Sequence, residues 1–65
     1  MSQYGQKLLD YIRSEQITAS TAQDVLFDSR NSFDDMDSVV KAINELADEG
    51  IVSLNNDIAV GFKLI

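Results

Sequence analysis

The sequence predicts an α+β fold in which three helices are followed by a C-terminal β-hairpin. Two observations carry that prediction. Apolar residues recur at the three-to-four spacing of a helix face in successive segments before Gly50, and from Ile51 onward the period drops to two, the alternation of a strand. A third sets the scale. Residues 1–65 are expected to form one domain, and a chain this short buries only about 60% of the surface it exposes when unfolded.

The first helix is expected from about Gln3 to Glu15, where Tyr4, Leu8, Tyr11, Ile12 and Glu15 follow one face and Leu9 widens it. Gly5 weakens its first turn, because glycine costs about 1 kcal/mol relative to alanine inside a helix. Ile17-Thr18-Ala19-Ser20-Thr21 is a poor continuation, rich in β-branched and short hydroxyl residues. Ser20 stands three positions before Gln23, the spacing of a capping box. A second helix is therefore expected from Thr21 to Asp28, turning Ala22, Val25 and Leu26 toward the core, with Phe27 packed at its end.

The connection Ser29–Asp35 is polar except for Phe33, which is expected to plug the loop into the core. The third helix begins at Met36 and carries Val39, Val40, Ile43, Leu46 and Ala47 on one face. Asp34, Asp35 and Asp37 crowd its start, where a carboxylate caps the free N–H groups and meets the positive end of the helix dipole. Which aspartate is the cap stays open in the sequence. Gly50 provides the stop, since it takes a left-handed conformation without a Cβ clash.

Ile51–Leu54 reads as a strand, Asn55-Asn56-Asp57 as a tight turn, and Ile58–Leu64 as the return strand. In the return strand Ile58, Val60, Phe62 and Leu64 share the face expected to lie on the helices, and Ala59, Gly61 and Lys63 share the other. The expected core is Leu8, Ile12, Val25, Leu26, Val40, Ile43, Leu46, Val60 and Phe62.

Three stretches resemble the winged helix-turn-helix superfamily. Lys7-Leu8-Leu9-Asp10-Tyr11-Ile12-Arg13 is similar to its first helix, and Ser20-Thr21-Ala22-Gln23-Asp24-Val25-Leu26 to its short second helix. Val39 to Val52 resembles its recognition helix, the closing glycine and the entry to the wing. The likeness covers nearly the whole chain, rests on packing positions and singles out no one family. It implies a winged helix used to bind either nucleic acid or protein.

Charge separates those two uses. Eleven acidic against five basic residues give a formal charge of −6, whereas binding to a phosphate backbone draws its affinity from cations. In the DNA-binding form the third helix would enter the major groove. Here the positions expected to face outward are Asp37, Ser38, Lys41, Asn44, Glu45, Asp48 and Glu49, four of them acidic and one basic. Asn44 has the donor and acceptor to read adenine and Lys41 the charge to meet guanine or phosphate, but carboxylates surround both. Asn55-Asn56-Asp57 at the expected wing tip offers no cation.

Other chemistries are poorly supplied. There is no cysteine, so neither a disulfide framework nor a thiolate metal site is expected. Histidine, the usual general base at neutral pH, is also lacking. Ser20, Ser32 and Ser38 have no evident triad partners. Asp28–Val39 fails as a calcium loop, with Arg30, Phe33 and Val39 where a ligand, a glycine and a glutamate belong. Gly5, Gly50 and Gly61 lie too far apart for a phosphate loop. No catalytic residue, metal or cofactor is expected. The N-terminus lacks a basic segment followed by an apolar run, and no stretch approaches the roughly 20 apolar residues that span a bilayer, so the expected compartment is the cytoplasm, without a membrane partner.

The function expected is that of a non-enzymatic acidic module regulating a nucleic-acid process by binding a protein partner with a basic surface. Asp37, Lys41, Asn44, Glu45, Asp48 and Glu49 are its expected contacts. In one variant the acidic face imitates nucleic acid. The alternative is a small DNA-binding transcriptional regulator, which requires Lys7, Arg13, Arg30, Lys41 and Lys63 to gather on one surface. A third reading makes Tyr4, Tyr11, Ile65 and the exposed side of the hairpin a homodimer patch.

Overall fold

A computed structural model describes residues 1–31, 33–55 and 60–65. The fold is α+β: α1 (Gln3–Ser14), β1 (Ala19–Thr21), α2 (Ala22–Phe27), α3 (Met36–Asp48), β2 (Val52–Asn55) and β3 (Gly61–Leu64). Three helices are thus followed by a C-terminal hairpin of β2 and β3, as the change of period predicts. Among the described residues the sheet has the order β1-β3-β2, antiparallel throughout.

β1 was not expected. The segment before α2 reads as a failed helix because its pairing partner lies at the other end of the chain. Ala19, Ser20 and Thr21 pair with Lys63, Phe62 and Gly61, so the β-branched and hydroxyl residues that disfavour a helix extend the sheet instead. This moves the start of α2 by one residue. Ser20 stands opposite Phe62 in the ladder, and Thr21 is the cap, its Oγ1 accepting the Asp24 N–H at 3.2 Å. At α3 the cap is Asp35, whose carboxylate accepts the Ser38 N–H at 2.8 Å. That hydrogen bond holds the Asp35 carboxyl below its usual pKa.

Both α1 and α3 end in the same way. Ile17 N–H returns to Ile12 C=O (2.9 Å) and Gln16 N–H to Arg13 C=O (3.4 Å). Likewise Ile51 N–H returns to Leu46 C=O (2.9 Å) and Gly50 N–H to Ala47 C=O (3.1 Å). This closure needs a left-handed residue after the helix, supplied by Gln16 at φ 56° and Gly50 at φ 75°. Each closure also folds an isoleucine back along its helix.

The core joins α1, α2, α3 and the inner face of the sheet. Leu8, Ile12, Val25, Ile43, Leu46 and Phe62 are buried as expected, and Phe33 is the loop plug. Leu9, Tyr11, Ala22, Val39, Ala42 and Val52 complete it, while Leu26 and Val40 pack half-buried at its edge. Four expectations fail, at Phe27, Val60, Gly61 and Leu64. Phe27 is 74% exposed, because at about 100° per residue it lies far around the short helix from Ala22 and Val25. Val60 is 41% exposed with φ 49°, so it turns the chain into β3 and leaves the inner face. Its carbonyl accepts the Ala22 N–H at 3.0 Å. The expected wing tip Asn56-Asp57 and the Ile58-Ala59 start of the return strand lie outside the described residues. Leu64, also expected on the apolar face, is 38% exposed at the sheet's end. Gly61, expected on the solvent side, is buried.

Candidate functional site

The buried face of α3 consists of Val39, Ala42, Ile43 and Leu46. This face is turned toward Ala42, by roughly 50° at 100° per residue, from the one the sequence suggests. The turn redistributes the six candidate contact residues. Asp37, Lys41, Asn44, Asp48 and Glu49 remain exposed. Glu45 is drawn sideways to the N-terminal end of α1, half-buried, where its Oε2 accepts the Ser2 hydroxyl at 2.7 Å. The Glu45 carboxylate lies over Gly5, where a Cβ would press on its Oε2 and on the Met1 side chain. Glu45 thus lies against the first turn of α1 instead of on the open outer face of α3.

The side chains of Asp37, Asn44, Asp48 and Glu49 make no hydrogen bond or ion pair among the described residues. Asp48 and Glu49 also sit at the wrong end of their helix. A helix C-terminus carries partial negative charge, and the last turn of α3 contains no basic residue to offset it. Each such carboxylate opposes the dipole by roughly 0.3–1 kcal/mol when exposed at low salt.

The five cations occupy different settings. Arg30 is committed to carboxylates, with 2.6 Å contacts to Glu15 and to Asp28. Lys7 lies 5.0 Å from the centroid of the Phe33 ring, a cation–π geometry. Arg13 belongs to the last turn of α1, Lys41 to α3 and Lys63 to β3, opposite Ala19 and Ser53.

Two features were not read from the sequence. The first is the cluster around Arg30. Tyr11 donates its hydroxyl proton to Asp28 at 2.5 Å, and Asp28 also receives the Arg30 N–H and guanidinium. Burial, followed by the hydrogen bond to Asp28 and that residue's charge, pushes the Tyr11 pKa up to about 12. The same contacts, Arg30 foremost, hold the Asp28 carboxyl far below the usual carboxylate range. A tyrosine on the buried stripe of α1 was the available signal, since a buried phenol needs a partner. The second is an open groove of about 520 Å³ between the ends of α1 and α3. Leu9, Ile12 and the two folded-back isoleucines, Ile17 and Ile51, line it. The sequence marks neither wall, because the groove exists only where two helix ends meet.

Among the described residues no three histidine, cysteine, aspartate or glutamate side chains group in a way that could hold a metal ion, and no helix is long and apolar enough to cross a membrane. Of the expected dimer patch, Tyr11 is buried and Tyr4 half-buried, while Ile65 is 80% exposed and Leu54 and Leu64 of the hairpin are also exposed. Compared with models of protein families, with curated proteins and with solved structures, the chain matches none.

Proposed function

We propose that the chain is a winged-helix module that acts without catalysis, by presenting the outer face of α3 to a basic surface on a protein partner. One observation carries the reading. Asp37, Asp48 and Glu49 stand exposed on α3 without an internal cation, and the only basic residue of that helix is Lys41. The helix order and the β1-β3-β2 sheet are compatible with a winged helix, in which α3 occupies the recognition position. A duplex would bring phosphates against these carboxylates and against the ionised Asp35 cap. A basic protein surface meets them with complementary charge, which speeds encounter and excludes acidic partners. The acidic α3 thereby occupies a site on the partner that would otherwise take nucleic acid, and this is the regulatory action proposed. Lys41 and Asn44 fix the register of the contact.

The test is capture from an extract of the native cell with the wild-type chain and with the Asp37→Lys/Asp48→Lys/Glu49→Lys variant. These residues are solvent-facing, so the variant keeps its fold by circular dichroism. The captured protein is expected to bind the variant at least tenfold more weakly, and random duplex at low salt is expected to give no salt-sensitive binding to the wild type. Equal capture by both forms removes α3 from the interface. Salt-sensitive duplex binding favours the DNA-binding alternative.

A further inference from the structure

The groove between the ends of α1 and α3 adjoins the proposed contact helix: Gly50 lines it, and Asp48 and Glu49 immediately precede Gly50. Its floor is aliphatic, and its outer wall is Leu64 and Ile65, exposed by 38% and 80%. Its charge is lopsided. On the α1 side, Arg13, the one charged side chain among the lining residues, offsets that helix's negative end. On the α3 side the last turn carries no basic residue, and the carboxylates of Asp48 and Glu49 add to the negative end. The arrangement is unfavourable within the chain itself, and local rules broken without internal compensation concentrate at functional sites. A cation brought from outside relieves it, while an apolar side chain brought with that cation covers the floor.

We propose that this groove receives the apolar anchor of a basic amphipathic segment of the partner protein, with a lysine or arginine of that segment lying against Asp48 and Glu49. The inference rests on α3 being the partner-binding helix and names the kind of segment that it takes. An aliphatic or aromatic side chain seated in a pocket, with charged residues at its rim, is a common way for a helix or loop to be recognised.

The experiment selects random 16-residue peptides, displayed on phage, against the full chain. Enriched peptides are expected to carry lysine or arginine beside an aliphatic or aromatic residue. Their affinity is expected to fall at least tenfold on Ile65→Asp, on Leu64→Asp and on the Asp48→Lys/Glu49→Lys variant, and to change less than twofold on Asp34→Asn, an exposed carboxylate outside the groove. The two wall residues are exposed enough to be replaced without unfolding, and amide chemical shifts check this while placing the peptide on Ile17, Ile51 and Leu64. Basic peptides that lose affinity on Asp37→Lys but not on either wall variant overturn the groove and leave the α3 reading standing. Acidic peptides, or none enriched, overturn both.

Discussion

At the scale of single residues, the cluster around Arg30 links the α2–α3 connection to α1. Tyr11 and Glu15 belong to α1 or its cap, and Asp28 caps α2. Both perturbed groups predict a pH dependence. A carboxyl whose folded pKa lies below its unfolded value contributes stability above that value and loses it as pH falls. The thermal midpoint should therefore drop as pH is lowered from about 4, the unfolded value for aspartate, and Asp28→Asn should flatten this slope while lowering the midpoint at pH 7. Tyr11 has the opposite window. Its pKa is raised to about 12, so its contribution is intact below about 10 and fades above it. Ultraviolet titration of a Tyr4→Phe chain should show the remaining phenol ionising near 12, and a value near 10 would mean that the Asp28 contact is not formed in solution. The α2 cap gives a second test, by denaturant unfolding. Thr21→Ala should destabilise by about 1 kcal/mol, and Ser20→Ala by less than about 0.5 kcal/mol, as for a substitution away from caps and core. The reverse order would restore the capping-box spacing as the true start of the helix.

The elements differ in how firmly they are held. α3 contributes four fully buried side chains, Val39, Ala42, Ile43 and Leu46, and it contacts both other helices and β2. Leu46→Ala should cost roughly 2–5 kcal/mol through lost burial and the cavity left behind. α2 has six residues, too few to persist alone, and is fixed by Ala22, Val25 and the Asn31 side-chain amide, which donates to Val25 C=O at 2.5 Å. Its exposed Phe27 lies outside that anchoring. Phe27→Ser should change stability by less than about 0.5 kcal/mol, and a loss as large as that of Leu46→Ala would put Phe27 in the core in solution. The left-handed ends of α1 and α3 differ in cost. Gly50 meets this requirement freely, whereas Gln16 meets it with a Cβ. Both serve one outcome, the side-by-side placement of Ile17 and Ile51 in the groove.

For the molecule as a whole, a charge of −6 on 65 residues makes self-repulsion an opposing force in folding. Screening falls to a length of about 8 Å at physiological ionic strength. Because exposed carboxylates outnumber the ion pairs that salt would weaken, raising salt toward about 0.5 M should raise the thermal midpoint, most of it through screening of the acidic surface. The Asp37→Lys/Asp48→Lys/Glu49→Lys variant, with charge reversed at three positions, should show a smaller salt response. A midpoint that falls with salt would mean that pairs such as Arg30–Glu15 outweigh the repulsion. On the proposed reading, the same excess of carboxylates favours partners with a basic surface.

The sequence by itself determined what can be specified within the span of one element. The face of α1, the aspartate-rich start of α3, the left-handed Gly50 and the change of period after it follow from spacing and backbone preference, whereas the rotation of α3 and the choice of Asp35 as its cap do not. Of the six candidate contact residues, the exposure of five was legible for the same reason. Tertiary structure decided whatever needed a second surface. β1 exists because β3 arrives beside it, and Val60 leaves the core because the chain must turn into that pairing. Glu45 moves sideways because the α3 face turns to meet α1 across Gly5. The groove arises because two helix ends close against each other. Local periodicity is carried by neighbours a few residues apart, whereas the rotation of a helix and the pairing of a strand are free until the opposing surface is in place.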